Sequence, residues 1–178
     1  MFCFSRPVFT AIVGCVLALF FAGTPQAQSP DLSQLQKSRL DYFFETKTYA
    51  ITPGESIVLY GFGRKTFLNP SWYWGEWGSG ALFGKRSGYL EGGLVLGAQY
   101  DLSPHWRIDS RLFLGAAGGG SAPQGGGFAI NPTLELQTDL SHDLALGAAV
   151  GYIQFINGEI SGWTVSVCAG LKQWQLHF

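Results

Sequence analysis

Three observations predict an all-β fold, specifically an eight-stranded antiparallel transmembrane up-and-down β-barrel. First, the second half of the chain alternates apolar with polar or small residues over segments of about 10–13 residues. A tilted membrane-crossing strand needs roughly 9–11, and an ordinary globular strand about 5–6. Second, glycine and aromatics are both abundant, at 25 residues and 15%, while charged residues make up only 13%, about half the usual share. Third, no uncharged apolar run after residue 28 approaches the length of a spanning helix. A chain that crosses a membrane without such a helix must close into a barrel, where every backbone group finds a partner internally.

Residues 1–27 are expected to be a cleaved export signal. Arg6 precedes an uncharged apolar run from Pro7 to Ala22, and small residues lead to Ala27, the order of a secretory leader. Ile12-Val13-Gly14-Cys15 is similar to a lipoprotein cleavage box, but a cut at Cys15 would leave the apolar Val16–Phe21 on the mature chain. Cys3 and Cys15 leave with the leader, so Cys168 stands alone and no intramolecular disulfide is available. Residues 28–40 form an N-terminal segment, expected to be periplasmic. In it Leu32, Leu35 and Leu40 fit either a short helix or a loose tail.

The barrel is assigned to residues 41–178. Its first three strands, Asp41–Ile51, Ser56–Phe67 and Trp72–Phe83, alternate poorly, because Trp72, Tyr73, Trp74 and Trp77 crowd the third. That cluster fits an interfacial aromatic girdle or packing inside the barrel. The fourth strand, Tyr89–Asp101, sets Leu90, Leu94 and Leu96 against Glu91, Val95 and Gln99. The fifth, from Trp106, sets Ile108, Leu112 and Leu114 against Arg107, Asp109 and Arg111. The sixth, from Ile130, sets Leu134 and Leu136 against Glu135 and Gln137, and the seventh runs from Leu144 to Tyr152. In the eighth, Ser161–Phe178, Trp163–Leu171 alternate in one phase and Trp174, Leu176 and Phe178 in the other. A bulge near Lys172-Gln173 would reconcile the two phases.

The tight turns 68–71, 102–105 and 141–143 fall at one end with the carboxyl terminus, expected to be periplasmic. The Gly-rich stretch 118–127 falls at the other, with the loops 52–55, 84–87 and 157–159. Glu91, Arg107, Asp109, Arg111 and Glu135 share the inward faces of strands four to six. Charge inside a barrel must be paired, and eight strands leave a lumen that side chains just fill. An interior salt-bridge network and a plugged lumen are therefore expected.

The alternating segments and the terminal aromatic resemble the small eight-stranded bacterial outer-membrane barrels. The resemblance implies residence in the outer membrane, contact with outer-membrane lipids and lipopolysaccharide, and assembly by the barrel-assembly machinery. Leu144–Lys172 is also similar to the C-terminal hairpin of the lipid A 3-O-deacylase (PagL) type, whose His and Ser lie in an H-x-S pattern on a late strand. Here the corresponding Tyr152–Gly158 holds neither His nor Ser, which removes the general base and the nucleophile.

Further chemistry is hard to place. His105 and His142 sit in turns and His177 next to the terminus, with no two on one strand at ligand spacing, so no metal or other cofactor is expected. The Gly-rich loop lacks the Lys and helix of a phosphate-binding loop. The formal charge of −1 supplies no basic patch for nucleic acid. The expectation is a monomeric, non-enzymatic barrel with a structural, envelope-integrity or surface-interaction role. Two alternatives compete. A lipid A or phospholipid modifying enzyme would use, for example, Ser161 with Glu159. A soluble periplasmic barrel binding an apolar ligand would place Leu94, Leu96, Leu112 and Leu134 inside and the charges outside.

Overall fold

The computed structural model describes residues 37–52, 55–123, 125 and 127–176. The expected leader, His177 and Phe178 lie outside the described residues. Eight strands follow one another: β1 (Lys37–Thr52), β2 (Glu55–Phe67), β3 (Trp72–Gly80), β4 (Leu90–Asp101), β5 (Trp106–Gly118), β6 (Phe128–Asp139), β7 (Leu144–Phe155) and β8 (Ser161–Leu176). Each is antiparallel to the next, and β1 pairs with β8 to close the barrel. The turns after β2, β4 and β6 lie at one end together with Lys37 and Leu176. The last residues of β1, β3, β5 and β7 lie at the other. These are called the turn end and the loop end.

Side-chain alternation decides which face is which, since successive residues of a strand point to opposite faces. The charged phase of β4–β6 faces inward: Glu91, Asp109, Arg111 and Glu135 are buried. The leucine phase faces outward, with Leu94, Leu96 and Leu134 exposed by 53, 42 and 40%. A soluble ligand-binding barrel has the reverse polarity, so that alternative is excluded. The Trp-rich cluster divides by the same rule. Tyr73 and Trp77 point inward and are buried, whereas Trp74 points outward and is exposed.

Several boundaries differ from the sequence reading. β1 begins at Lys37, so residues 37–40 belong to the barrel rather than to a separate 28–40 segment. Lys37–Leu40 pair with Leu176–Gln173, and closing the ladder requires both ends. β3 stops at Gly80 rather than Phe83. Ala81 instead bonds back to Tyr89 and Gly88, and a tight turn through Arg86 follows. Gly84 and Gly88, at φ of 91° and 85°, supply the left-handed backbone of that loop at no steric cost. No bulge interrupts β8 at Lys172-Gln173, because its register against β1 is unbroken from Thr164 to Leu176. Trp174 lies directly across from Arg39 and therefore shares the inward phase. It is 53% exposed because the lumen opens there at the turn end.

Close packing inside the barrel requires glycine at selected inward positions. A Cβ at Gly97 would overlap the Tyr73 ring, so the absence of a side chain there makes the room that Tyr73 occupies. Gly92, five residues back along β4 in the outward phase, has no such neighbour: its nearest would be the Trp77 carbonyl at 3.5 Å. Gly97→Ala is expected to destabilise the barrel by about 1–3 kcal/mol through overpacking. Gly92→Ala is expected to change little. The urea midpoints of the two variants, followed by tryptophan fluorescence, check this.

Candidate functional site

The lumen is built from inward side chains of all eight strands, and its half towards the turn end is ionic. Lys65 on β2 pairs with Asp109 on β5. Asp109 also accepts from the Tyr73 hydroxyl at 2.6 Å and from Gln99 Nε2 at 3.0 Å. Arg111 lies between two carboxylates, 3.3 Å from Glu45 on β1 and 3.2 Å from Glu135 on β6. Glu135 in turn accepts from Gln137 Nε2 at 2.7 Å. Farther towards the loop end, Lys47 on β1 pairs with Glu91 at the start of β4, its ammonium 4.0 Å from the centre of the Trp77 ring. Nearest the turn end, Asp139 receives both Arg107 at 2.5 Å and Lys172 at 2.6 Å. Each buried charge thus meets an opposite one, the arrangement that makes burial tolerable.

Apart from the Lys47–Glu91 pair, the half towards the loop end is mainly apolar. Leu59, Ile153, Phe155 and Ile160 are fully buried with Tyr49 and Tyr89, whose hydroxyls meet at 2.9 Å. Burial, and after it the neighbouring Glu91, pushes the Tyr89 phenol above its ordinary range, so it stays a neutral hydrogen-bonding group. The loops cross-link above this plug. Arg86 makes two bonds to Glu55, at 3.0 and 3.1 Å, and donates to the carbonyls of Gly120 and Ser121. Glu159 N–H donates to the Pro123 carbonyl at 3.1 Å. In contrast, Leu82 and Phe83 at the tip of the β3–β4 loop are 61 and 77% exposed.

Free space follows this polarity. A cavity of about 460 Å³ opens at the turn end, lined among others by Arg39, Asp101, Arg107, Asp139 and Trp174. Deeper cavities beside Arg111 and beside Lys65 measure only about 20 and 10 Å³, room for roughly one water each. The lumen is filled, open at one rim and capped at the other.

All five residues singled out from the sequence lie in this lumen. Glu91, Arg107, Asp109, Arg111 and Glu135 do not bond mainly to one another, however. Arg111 and Glu135 form a direct pair, while the other counter-charges include Glu45, Lys47, Lys65 and Asp139. Glu45, Lys47 and Lys65 escaped the sequence reading, which found no clean alternation in the first strands. Asp41, Glu45 and Lys47 do share one phase of β1, and that was the available signal. Trp174 sits at the turn-end rim, and the backbone of Leu176 pairs with Lys37. Ser161 and Glu159 lie at the loop end, whereas His105 and His142 lie in the turns of the opposite end. A hydrolase needs its base within hydrogen-bond reach of the hydroxyl, which this separation forbids for those histidines. No group of three His, Cys, Asp or Glu side chains capable of holding a metal occurs among the described residues.

Among the described residues, the outward phases of the wall carry one ion pair. Arg64 on β2 and Glu76 on β3 point outward, 3.2 Å apart, with side chains 41 and 55% exposed.

No protein-family model and no curated protein matches the chain. Solved structures match its fold. The N-terminal β-barrel domain of Pseudomonas aeruginosa OprF aligns with a TM-score of 0.56 at 14% identity, over 79% of this chain and 100% of that domain. A de novo designed transmembrane β-barrel aligns at 0.52 with 12% identity, over 79% and 98%. The Yersinia pestis outer membrane protein Ail, solved in a phospholipid bilayer nanodisc, aligns at 0.50 with 9% identity, over 76% and 99%. At such identities the likeness concerns the fold: a closed eight-stranded barrel shared with outer-membrane proteins.

Arg111→Met removes the cation between two buried carboxylates. The loss is expected to be about 3–5 kcal/mol, as for other broken buried pairs. Combining it with Glu45→Gln and Glu135→Gln removes the stranded charges and is expected to restore most of the stability. Unfolding midpoints for the single and triple variants check this.

Proposed function

We propose that the protein is a non-enzymatic outer-membrane β-barrel with a structural, envelope-integrity or surface-interaction role. The observation that carries this reading is the inverted polarity of a closed barrel. Leucines and valines line the outside of β5–β8, and paired charges fill the inside. Water outside would leave that apolar wall exposed, well beyond the patch size of soluble monomers. Lipid outside accommodates it and also explains why no strand edge is left open. The fold likeness to outer-membrane barrels agrees.

The lumen supports a structural rather than a transport role. Its ionic half is saturated with pairs, and its loop half is plugged by Leu59, Ile153 and Ile160. A surface role would fall to the exposed Leu82-Phe83 tip beside Lys85, carried on a loop frame that Arg86 fixes. Export through a cleaved leader and assembly by the barrel-assembly machinery belong to the same proposal.

Gel mobility of the protein from purified outer membranes, boiled and unboiled, tests the reading. A band that migrates differently before boiling is expected, because a closed barrel resists detergent unfolding. Recovery in the soluble periplasmic fraction, with no such shift, overturns it.

A further inference from the structure

From the wall of β2 and β3 we infer that two copies of this chain associate side by side in the membrane, through a two-fold contact centred on Arg64 and Glu76. The inference rests on the membrane reading above.

Arg64 and Glu76 are directly opposed across the β2–β3 ladder. Apolar side chains surround them on the outer face. Tyr42 lies opposite Arg64 on β1 and Leu94 opposite Glu76 on β4. Phe62 and Trp74 are the next outward residues along each strand, 48 and 37% exposed. Glu76 is the midpoint of β3, far from either rim. Arg64 does not reach towards the turn end, where a long side chain would find water; it is held sideways on Glu76. The pair therefore lies, half-exposed, inside the band that faces hydrocarbon. Charges at such depth are costly in lipid and normally face protein or a water-filled cavity.

The geometry selects a second copy as the occupant. Viewed from outside, Arg64 and Glu76 lie side by side on neighbouring strands. A two-fold axis along the membrane normal sets the Arg64 of one copy against Glu76 of the other, and the reverse. The result is a four-charge ring of alternating sign. A self-complementary patch of this kind is what an isologous dimer requires. The wall is also bare on the loop-end side of the pair. Gly78 and Gly92 face each other across β3 and β4, and a Cβ on either would find its nearest neighbour at 3.8 or 3.5 Å. Nothing inside one barrel requires glycine there, whereas a close-packed partner does, as at other intramembrane contacts lined by small residues. This replaces the expectation of a monomer.

The test is sedimentation equilibrium of the folded full-length mature protein in density-matched detergent micelles. Heat-dependent gel mobility after reconstitution into phosphatidylcholine–phosphatidylglycerol vesicles runs in parallel. The native protein is expected to show a two-chain mass. Arg64→Glu and Glu76→Arg are each expected to show a one-chain mass, with dimerisation weakened at least about tenfold. An equimolar mixture of the two variants is expected to recover the two-chain mass, since each supplies the charge the other lacks. Gly78→Leu is expected to keep the heat shift and lose the dimer. A native protein that keeps the heat shift at a one-chain mass overturns the inference and leaves the membrane reading standing. Two-chain masses for the charge reversals or for Gly78→Leu also overturn it. Loss of the heat shift in the native protein overturns the membrane reading itself.

Discussion

The β1–β8 ladder is the constraint on which the rest of this structure depends. In the membrane setting proposed for it, an open sheet with this outer surface would present unpaired N–H and C=O groups to an apolar surrounding, at several kcal/mol for each unsatisfied group. Closing the ladder from Lys37–Tyr49 onto Thr164–Leu176 removes both edges. Closure at eight strands then fixes the width of the lumen at about what side chains fill. Each inward residue must therefore pack or pair. The overlap that any side chain at Gly97 would have with Tyr73 is a direct result of that width.

Within the lumen the two halves solve the same filling problem differently. Towards the loop end, Leu59, Ile153, Phe155 and Ile160 fill space by apolar packing. Elsewhere in the lumen, and mostly towards the turn end, charges are joined across the barrel. Arg111 links β5 to β1 and β6, Lys65 links β2 to β5, and Lys47 links β1 to β4. Apart from Arg111–Glu135, which spans the neighbouring β5 and β6, these contacts join strands that are not neighbours in the sheet, so they resist shear of the barrel in a way the ladder alone does not. The ionic half also grades into the open rim, where Arg107 and Lys172 share Asp139. The plugged half lies beneath the loop frame tied by Arg86.

The outer wall is uneven around its circumference. β5–β8 present a continuous apolar surface, while β2 and β3 interrupt it with Arg64 and Glu76. A lone Arg near the middle of a lipid-facing strand costs about 2–4 kcal/mol. A neighbouring carboxylate reduces that cost, and a covering protein surface reduces it further. The exposed Leu82-Phe83 loop joins β3 to β4, so the features that depart from a plain barrel cluster on one side of the molecule.

Much of the architecture was legible in the chain, because a barrel strand has a period of two and both of its faces constrain composition. The phases of β4–β7 read directly, and with them the inward position of Glu91, Asp109, Arg111 and Glu135. The strand count followed from the segments themselves, and the turns at Asn69-Pro70, Ser103-Pro104 and Ser141–Asp143 agreed with it by falling at one end. β1–β3 read poorly, since aromatics occupy both of their phases and hydrophobicity alone no longer separates inside from outside. Which counter-charge meets which was not available from sequence. Glu45 and Arg111 lie on strands far apart in order, and their meeting across the lumen depends on strand closure and register. The phase of Trp174 was undecidable for the same reason: only its pairing with Arg39 places it on the inner side. The sequence by itself determined the alternation, and so the inverted polarity of the wall. The tertiary structure decided the ion pairs, the plug at one end and the opening at the other, because those depend on distances across a closed lumen that no local pattern encodes.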